Sequence, residues 1–185
     1  VADTAESWER DKTFESVIDH AAVQLDAMFD DIDTEETASN AAYFSLVLAH
    51  SYLAIDAADK ARTRVDTAMS VLTDWYPDTA PEFSDARTMS IVTSFAQGHE
   101  ALAMRAGRER VAVKADSLGR HSPDTLGTAY EIADQFRQHG QPDAAAQLIG
   151  ELVEDMTFEE FRSNQPGLDA LEFLCLTRTD TPPPT

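Results

Sequence analysis

The fold of this chain is decided by residues 38–74, which read ASNAAYFSLVLAHSYLAIDAADKARTRVDTAMSVLTD. In the first half, apolar residues recur at steps of three or four: Ala42, Leu46, Ala49, Tyr52 and Leu53. The second half repeats the pattern with Ala61, Val65, Ala68 and Leu72. Such spacing places the apolar residues on one face of a helix, and a short connection around Asp56 separates the two stripes. The segment is therefore predicted to form an antiparallel helical hairpin with a tight turn.

The N-terminal third of the chain shows the same helical period before this hairpin. Residues 1–33 are predicted to form an N-terminal helix, whose apolar stripe consists of Phe14, Val17, Ile18, Ala21, Leu25, Met28 and Phe29. After the hairpin, Pro77 and Pro81 exclude a continuous helix and predict a loop. No segment alternates apolar and polar residues over a strand length, so the predicted fold class is all-α.

The C-terminal half is predicted to continue as helix pairs. Residues 85–120 form a divergent pair that breaks at Gly107, with a further interruption possible at Gly98. Residues 123–156 form a second hairpin, which Ser122 caps and Pro123 opens. Two further segments complete the chain: capping helices over 157–176, opened by a capping box of Thr157 and Glu160, and a flexible tail over 177–185. The helices are expected to form a single domain over residues 1–176.

Two of these segments resemble the tetratricopeptide repeat family, whose unit is a helix–turn–helix of about 34 residues. The first match consists of Leu48, Ala49, Tyr52, Ala61, Val65 and Ala68, and the second of Ile132, Ala133, Phe136, Gly140, Ala145 and Ile149. Small residues let adjacent helices approach closely, and the aromatic and branched residues fill the gap beside them. The chain departs from the family at Ser45 and Ala129, where a tryptophan is expected, and at Thr73 and Thr157, where the unit usually ends in proline.

The resemblance implies a short superhelix of stacked antiparallel hairpins with a concave face that holds a partner peptide. Carried over position by position, it places Tyr43, Leu46, His50 and Leu53 on that face in the first hairpin. In the second hairpin it places Tyr130, Asp134, Arg137 and Gln138 there. Two alternatives stay open: an ordinary helical bundle, and a face that is filled because Leu46 and Leu53 pack against the N-terminal helix.

The charge balance is the strongest compositional signal, with 34 acidic and 14 basic residues and a net charge of −20. So acidic a chain is expected to repel nucleic acids and anionic membranes, since both bind basic surfaces. Because the acids are spread along the chain, we favour adaptation to high salt over a localised acidic binding site. This interpretation predicts a melting temperature that rises from low salt to molar KCl.

No catalytic pattern is present in the sequence. The five histidines, His20, His50, His99, His121 and His139, form no zinc or di-iron motif. The lone Cys175 is expected to be a small apolar residue and allows no intramolecular disulfide. No phosphate-binding loop or nucleophile elbow occurs. No enzymatic activity, cofactor or metal is therefore expected.

These observations predict a cytoplasmic scaffold or adaptor that binds a protein or peptide partner and does not bind nucleic acid or membrane. Self-association is also plausible, because a terminal repeat exposes an apolar face unless it is capped. Two other functions stay open. One is the sensory or regulatory helical module of a larger system, and the other is a small helical bundle that binds a ligand or metal.

Overall fold

The structure, a computed structural model, describes residues 2–78 and 80–179, with side chains for residues 12–29, 31–78 and 80–174. Within these ranges the chain is helical and contains no β-strand, which confirms the predicted all-α class. The chain divides into two compact units, Val1–Glu100 and Ala101–Thr185, and each is described by itself. One continuous stack over residues 1–176 stays a prediction.

The first unit is built around the predicted hairpin. Its helices are α1 (Ala2–Met28), α2 (Glu35–Leu53), α3 (Ala58–Trp75) and α4 (Phe83–Ala96), with a 3₁₀ turn at Phe29–Asp31. Helices α2 and α3 pack along each other, α4 packs against both, and α1 packs against α2. The hairpin predicted over residues 38–74 is therefore confirmed.

The core of the first unit consists of the residues that the helical period selected in the hairpin. Buried there are Ala42, Leu46, Ala49 and Tyr52 of α2, with Ala61, Val65, Ala68 and Leu72 of α3. Helix α1 contributes a narrower stripe of Ile18, Ala22 and Leu25. The wider stripe predicted for α1 is wrong at Phe14, Val17, Ala21 and Met28, whose side chains are exposed. Burial is confined to the side of α1 that faces its partner helix.

The second unit contains another hairpin, against which a further helix packs. Its helices are α5 (Glu100–Leu118), α6 (Pro123–Gln138), α7 (Pro142–Val153), α8 (Phe158–Ser163) and α9 (Gln165–Thr179). Helices α6 and α7 form the hairpin, and α9 packs against both of them. The hairpin predicted over 123–156 is thus confirmed. Helix α9 includes residues 177–179, where a flexible tail was predicted, so the prediction is wrong for these three residues; residues 180–185 lie outside the described residues.

The predicted break at Gly107 is wrong, because α5 passes through this residue without interruption. A Cβ atom at position 107 would lie 2.7 Å from Cγ2 of Ile132 and 2.9 Å from Cζ of Phe136. The missing side chain therefore lets α5 approach α6 closely. The break falls instead at Gly98, whose φ of 74° ends α4 in the left-handed region.

Three helix ends share one type of turn. In each, a residue with positive φ follows the helix, and the next backbone N–H donates to the carbonyl five residues earlier. The three donor–acceptor pairs are Ala57 to Tyr52 at 2.9 Å, His99 to Ser94 at 2.8 Å and Gln141 to Phe136 at 2.8 Å. The left-handed residues are Gly98, Gly140 and, in the first hairpin, Asp56 with a φ of 58°. Both hairpins thus turn by the same backbone geometry, with different residue types at the turn.

Candidate partner-binding face

Helix α2 carries an exposed stripe of apolar side chains along one face. Tyr43 is 59% exposed, Phe44 50% and Val47 43%, and the rings of Tyr43 and Phe44 meet edge to face with centroids 5.6 Å apart. Exposed Asn40 and His50 continue the face by one turn in each direction. We call Tyr43, Phe44 and Val47 the α2 stripe. A large aromatic surface left in water on an ordered helix is typical of a contact site.

The α2 helix can present this stripe because its apolar residues are not confined to one side. Residues 41–49 read AAYFSLVLA, apolar all round except for Ser45. Its other sides pack against α1, α3 and α4, whereas the stripe stays exposed. The helix starts at the Thr34 cap, whose Oγ1 accepts from the backbone N–H of Thr37 at 3.1 Å. The stripe therefore lies on a helix that the unit holds in place on several sides.

The residues predicted for this face in the first hairpin separate into two groups. Tyr43 and His50 are exposed on α2. Leu46 is only 9% exposed and belongs to the core, and Leu53 packs against that core. Leu46 is therefore not accessible to a partner, because it is buried in the core that α2 forms with the neighbouring helices. The exposed apolar residues beside Tyr43 are instead Phe44 and Val47.

The face predicted in the second hairpin is largely engaged with its own unit. Tyr130 is 38% exposed and meets the ring of Phe173 on α9 edge to face, with centroids 5.6 Å apart. Asp134 accepts hydrogen bonds from Arg137 Nη2 at 2.6 Å and Gln138 Nε2 at 2.6 Å. The four side chains lie on α6 as predicted, but three of them form one intrahelical cluster and Tyr130 packs against α9.

A polar cluster ties α1 to the first hairpin. Lys60 on α3 lies 2.8 Å from Glu15 Oε1 and 2.8 Å from Asp19 Oδ2, and the hydroxyl of Tyr52 donates to Asp19 at 2.7 Å. The hydrogen bonds from Lys60 and Tyr52 lower the pKa of Asp19. Burial, and then the bond to Asp19, raise the pKa of Tyr52 to about 12. The cluster lines an open cleft. Because the Lys60 ammonium is already paired with Glu15 and Asp19, we interpret the cluster as an attachment of α1.

A second pairing ties Arg64 on α3 to α1. Its guanidinium binds the Asp26 carboxylate with both terminal nitrogens, one of them at 3.0 Å. The hydrogen bond with Asp26 raises the pKa of Arg64. A two-point Arg–carboxylate contact fixes orientation as well as charge. Helix α1 is thus attached to the hairpin by basic residues of α3 along its length.

In the second unit, His121 connects three elements. Its Nε2 lies 3.3 Å from Asp155 and its Nδ1 lies 3.5 Å from Glu160, while the Asn164 amide donates to its carbonyl at 2.9 Å. The two carboxylates lie at opposite nitrogens of the ring and so do not converge on one point. Among the residues that the structure describes, no group of three or more His, Cys, Asp or Glu side chains could hold a metal ion. The side chain of Cys175 lies outside the described residues.

The sequence contained the signal for Phe44 and Val47, although the prediction did not use it. A helix that is apolar on every side is either covered on every side or leaves an apolar face in water. The family pattern assigned the partner face by position, and those positions include Leu46, which the neighbouring helices bury.

Comparison with known proteins adds no further assignment. Within the described residues no helix is long and apolar enough to cross a membrane. No protein-family model matches the chain, and no curated protein shows significant sequence similarity to it. The tetratricopeptide-like character therefore stays a resemblance, and the α2 stripe is the feature that suggests a function.

Proposed function

We propose that the chain is a non-catalytic interaction module that binds a protein or peptide partner along α2. The observation that carries the proposal is the α2 stripe, whose two aromatic rings and one aliphatic side chain are exposed together on a packed helix. Partner-binding sites are commonly centred on such aromatic anchors.

The cost of keeping the stripe in water supports this function. In a chain with a net charge of −20, almost any surface position accommodates a carboxylate, yet these three adjacent positions carry Tyr43, Phe44 and Val47. Binding would remove this apolar area from water, at about 25 cal/mol per Å² of gross stabilisation before the costs of association. A helical stack that presents an apolar face is suited to holding a helical or peptide partner.

The test is affinity capture from native cell extract with the wild-type chain and a Tyr43→Ser/Val47→Ser variant, in low and high salt. The expected result is a partner that the wild type retains and the folded variant loses. Phe158→Ser is the matched control, because Phe158 is 76% exposed in the second unit and lies outside the stripe. A partner retained equally by the stripe variant would contradict the proposal.

The self-association that the sequence left open is tested with the same proteins. Light scattering on wild type and Tyr43→Ser/Val47→Ser shows whether the stripe joins two copies of the chain. A wild-type dimer that the stripe variant converts to a monomer would assign the stripe to self-association instead of a foreign partner.

A further inference from the structure

We propose that the partner of the α2 stripe is a positively charged amphipathic helix, a proposal that rests on the proposed function of the stripe. The first observation is the charge of the surrounding sequence. No Lys or Arg occurs between Lys12 and Lys60, whereas ten Asp and Glu residues do. The whole of α2 lies within this interval, so its own charged residues, apart from His50, are acidic.

The basic residues of α3 do not offset the negative charge around α2. Lys60 is paired with Glu15 and Asp19, and Arg64 is paired with Asp26. The remaining Arg62 lies 2.9 Å from Asp66 on its own helix. Residues 1–100 contain 20 acidic and 6 basic residues, which gives the first unit a net charge of −14. A cationic ligand is therefore attracted to the stripe, and an anionic ligand is repelled.

The form of the stripe favours a helix as the occupant. The backbone of α2 makes its hydrogen bonds within the helix, so it offers no strand edge for an extended peptide to pair with. From Glu36 to His50 the exposed face extends about 21 Å at 1.5 Å per residue, which matches roughly four helical turns. An apolar ridge on a partner helix packs beside the stripe as helices pack in proteins.

Charge places the basic residues of the partner beside the N-terminal end of α2. Glu35 and Glu36 are exposed in the first turn, and Glu36 lies on the same face as Tyr43, two turns or about 10 Å before it. The partner therefore combines apolar residues at helical spacing with Lys or Arg residues toward Glu35 and Glu36. A second copy of this chain fits poorly, because each copy carries a net charge of −20.

The experiment uses three labelled peptides of about 18 residues, a length at which designed helices form. They share one leucine stripe and differ only on the outer face, which carries Lys, Gln or Glu. Fluorescence anisotropy measures their binding to the full chain. We expect the Lys peptide to bind at least about tenfold more tightly than the Gln peptide and the Glu peptide more weakly still. The preference should shrink from about 50 mM to about 1 M salt, because the charges are screened.

Three variants assign the binding to this face. Tyr43→Ser/Val47→Ser should weaken the Lys peptide by at least about tenfold, and Phe158→Ser should leave it unchanged. Glu35→Gln/Glu36→Gln should reduce the preference for Lys over Gln while leaving the Gln peptide bound as before. Circular dichroism of each variant verifies that the helical fold is retained.

The outcomes separate the two proposals. If all three peptides bind equally and all require Tyr43 and Val47, the positive charge of the partner is overturned and the proposed function stands. If binding of the Lys peptide does not change in Tyr43→Ser/Val47→Ser, it is unspecific attraction and both proposals are overturned for this face. Failure of every peptide to bind overturns the positively charged helical partner, and the affinity capture then decides the proposed function.

Discussion

The two hairpins of the molecule share one sequence pattern and differ at the positions that decide what they expose. At the positions where the helices pack, equivalent residues of the two hairpins are similar in size and buried. These pairs are Ala49 and Ala133, Ala61 and Ala145, and Val65 and Ile149. At the α2 stripe they diverge. The counterparts of Tyr43, Phe44 and Val47 in α6 are Gly127, Thr128 and Glu131.

The neighbouring helix accounts for the rest of the difference. In the first unit, α1 is attached through polar pairs from α3 and leaves the stripe open. In the second unit, α9 packs against both helices of the hairpin, with Phe173 against Tyr130. A hairpin pattern therefore specifies a core, whereas the binding surface depends on which faces the additional helix covers. Four tests address this comparison.

The largest effect is expected at Gly107, where the second unit depends on close approach of two helices. Gly107→Val should lower the free energy of unfolding by about 2–3 kcal/mol, because the new side chain collides with Ile132 and Phe136. Urea denaturation followed by circular dichroism measures the loss.

The matched control for this prediction is Gly127→Ala in α6. A Cβ placed at Gly127 would meet no described atom within 4 Å apart from its chain neighbours and the backbone of its own helix. Alanine is the better helix former, so this variant should gain up to about 1 kcal/mol. An unchanged free energy of unfolding in Gly107→Val would contradict the predicted collision with Ile132 and Phe136.

The second test changes the left-handed turn residue of each hairpin. Gly140 has a φ of 75°, where a Cβ is strained, so Gly140→Ala should cost about 1 kcal/mol or slightly more. Asp56 has a φ of 58° in the corresponding turn, so Asp56→Gly should gain up to about 1 kcal/mol. Thermal melts should show a lower melting temperature for Gly140→Ala and a higher one for Asp56→Gly. A destabilising Asp56→Gly would mean that the carboxylate supports the first turn more than its backbone strain costs.

Most of the fold was predictable from the sequence because it depends on local periods. The spacing of Ala61, Val65 and Ala68 fixes which side of α3 is buried, and Ser122 and Thr157 mark where helices start. The prediction for Gly107 was wrong because a glycine can either end a helix or let another helix approach closely. The residues on the opposite helix decide which of the two occurs. Ile132 and Phe136 occupy that place, and no local pattern pairs them with Gly107.

The candidate face was predictable only in part. Tyr43 and His50 could be selected from helical position, but Leu46 could not be distinguished from Val47 without knowing where the neighbouring helices lie. The contacts of Tyr130 and Asp134 depend on α9 and on rotamers within α6. Coverage by distant segments is therefore what the periodicity of single helices leaves undetermined.

The third test concerns Tyr52, which helps to attach α1 to the first hairpin. The corresponding residue of the second hairpin is Phe136, which has no hydroxyl. Tyr52→Phe should cost about 1 kcal/mol at neutral pH, because it removes the hydrogen bond to Asp19. The folded pKa of Tyr52 is raised from 10.0 to about 12, so its contribution to stability is complete below pH 10 and is lost as pH rises toward 12.

The pH dependence separates this tyrosine from the others. Urea unfolding at several pH values between 8 and 12 should show a steeper loss in wild type than in Tyr52→Phe. Tyr43→Phe, which alters an exposed ring of the same type, should follow the wild type. Identical pH profiles for Tyr52→Phe and wild type would remove Tyr52 from the attachment of α1.

The smallest effect is expected at Ser45, whose counterpart in the second hairpin is Ala129. Both side chains are fully buried, but the Ser45 hydroxyl has no hydrogen-bond partner among the residues that the structure describes. Ser45→Ala should therefore gain about 0.5–1 kcal/mol, since it removes an unsatisfied polar group at little cost in volume. Ala129→Ser should lose a similar amount, and urea denaturation of both variants measures the pair. If Ser45→Ala loses stability instead, the hydroxyl bonds a carbonyl of α2 in solution, and the cores of the two hairpins differ more than their shared pattern implies.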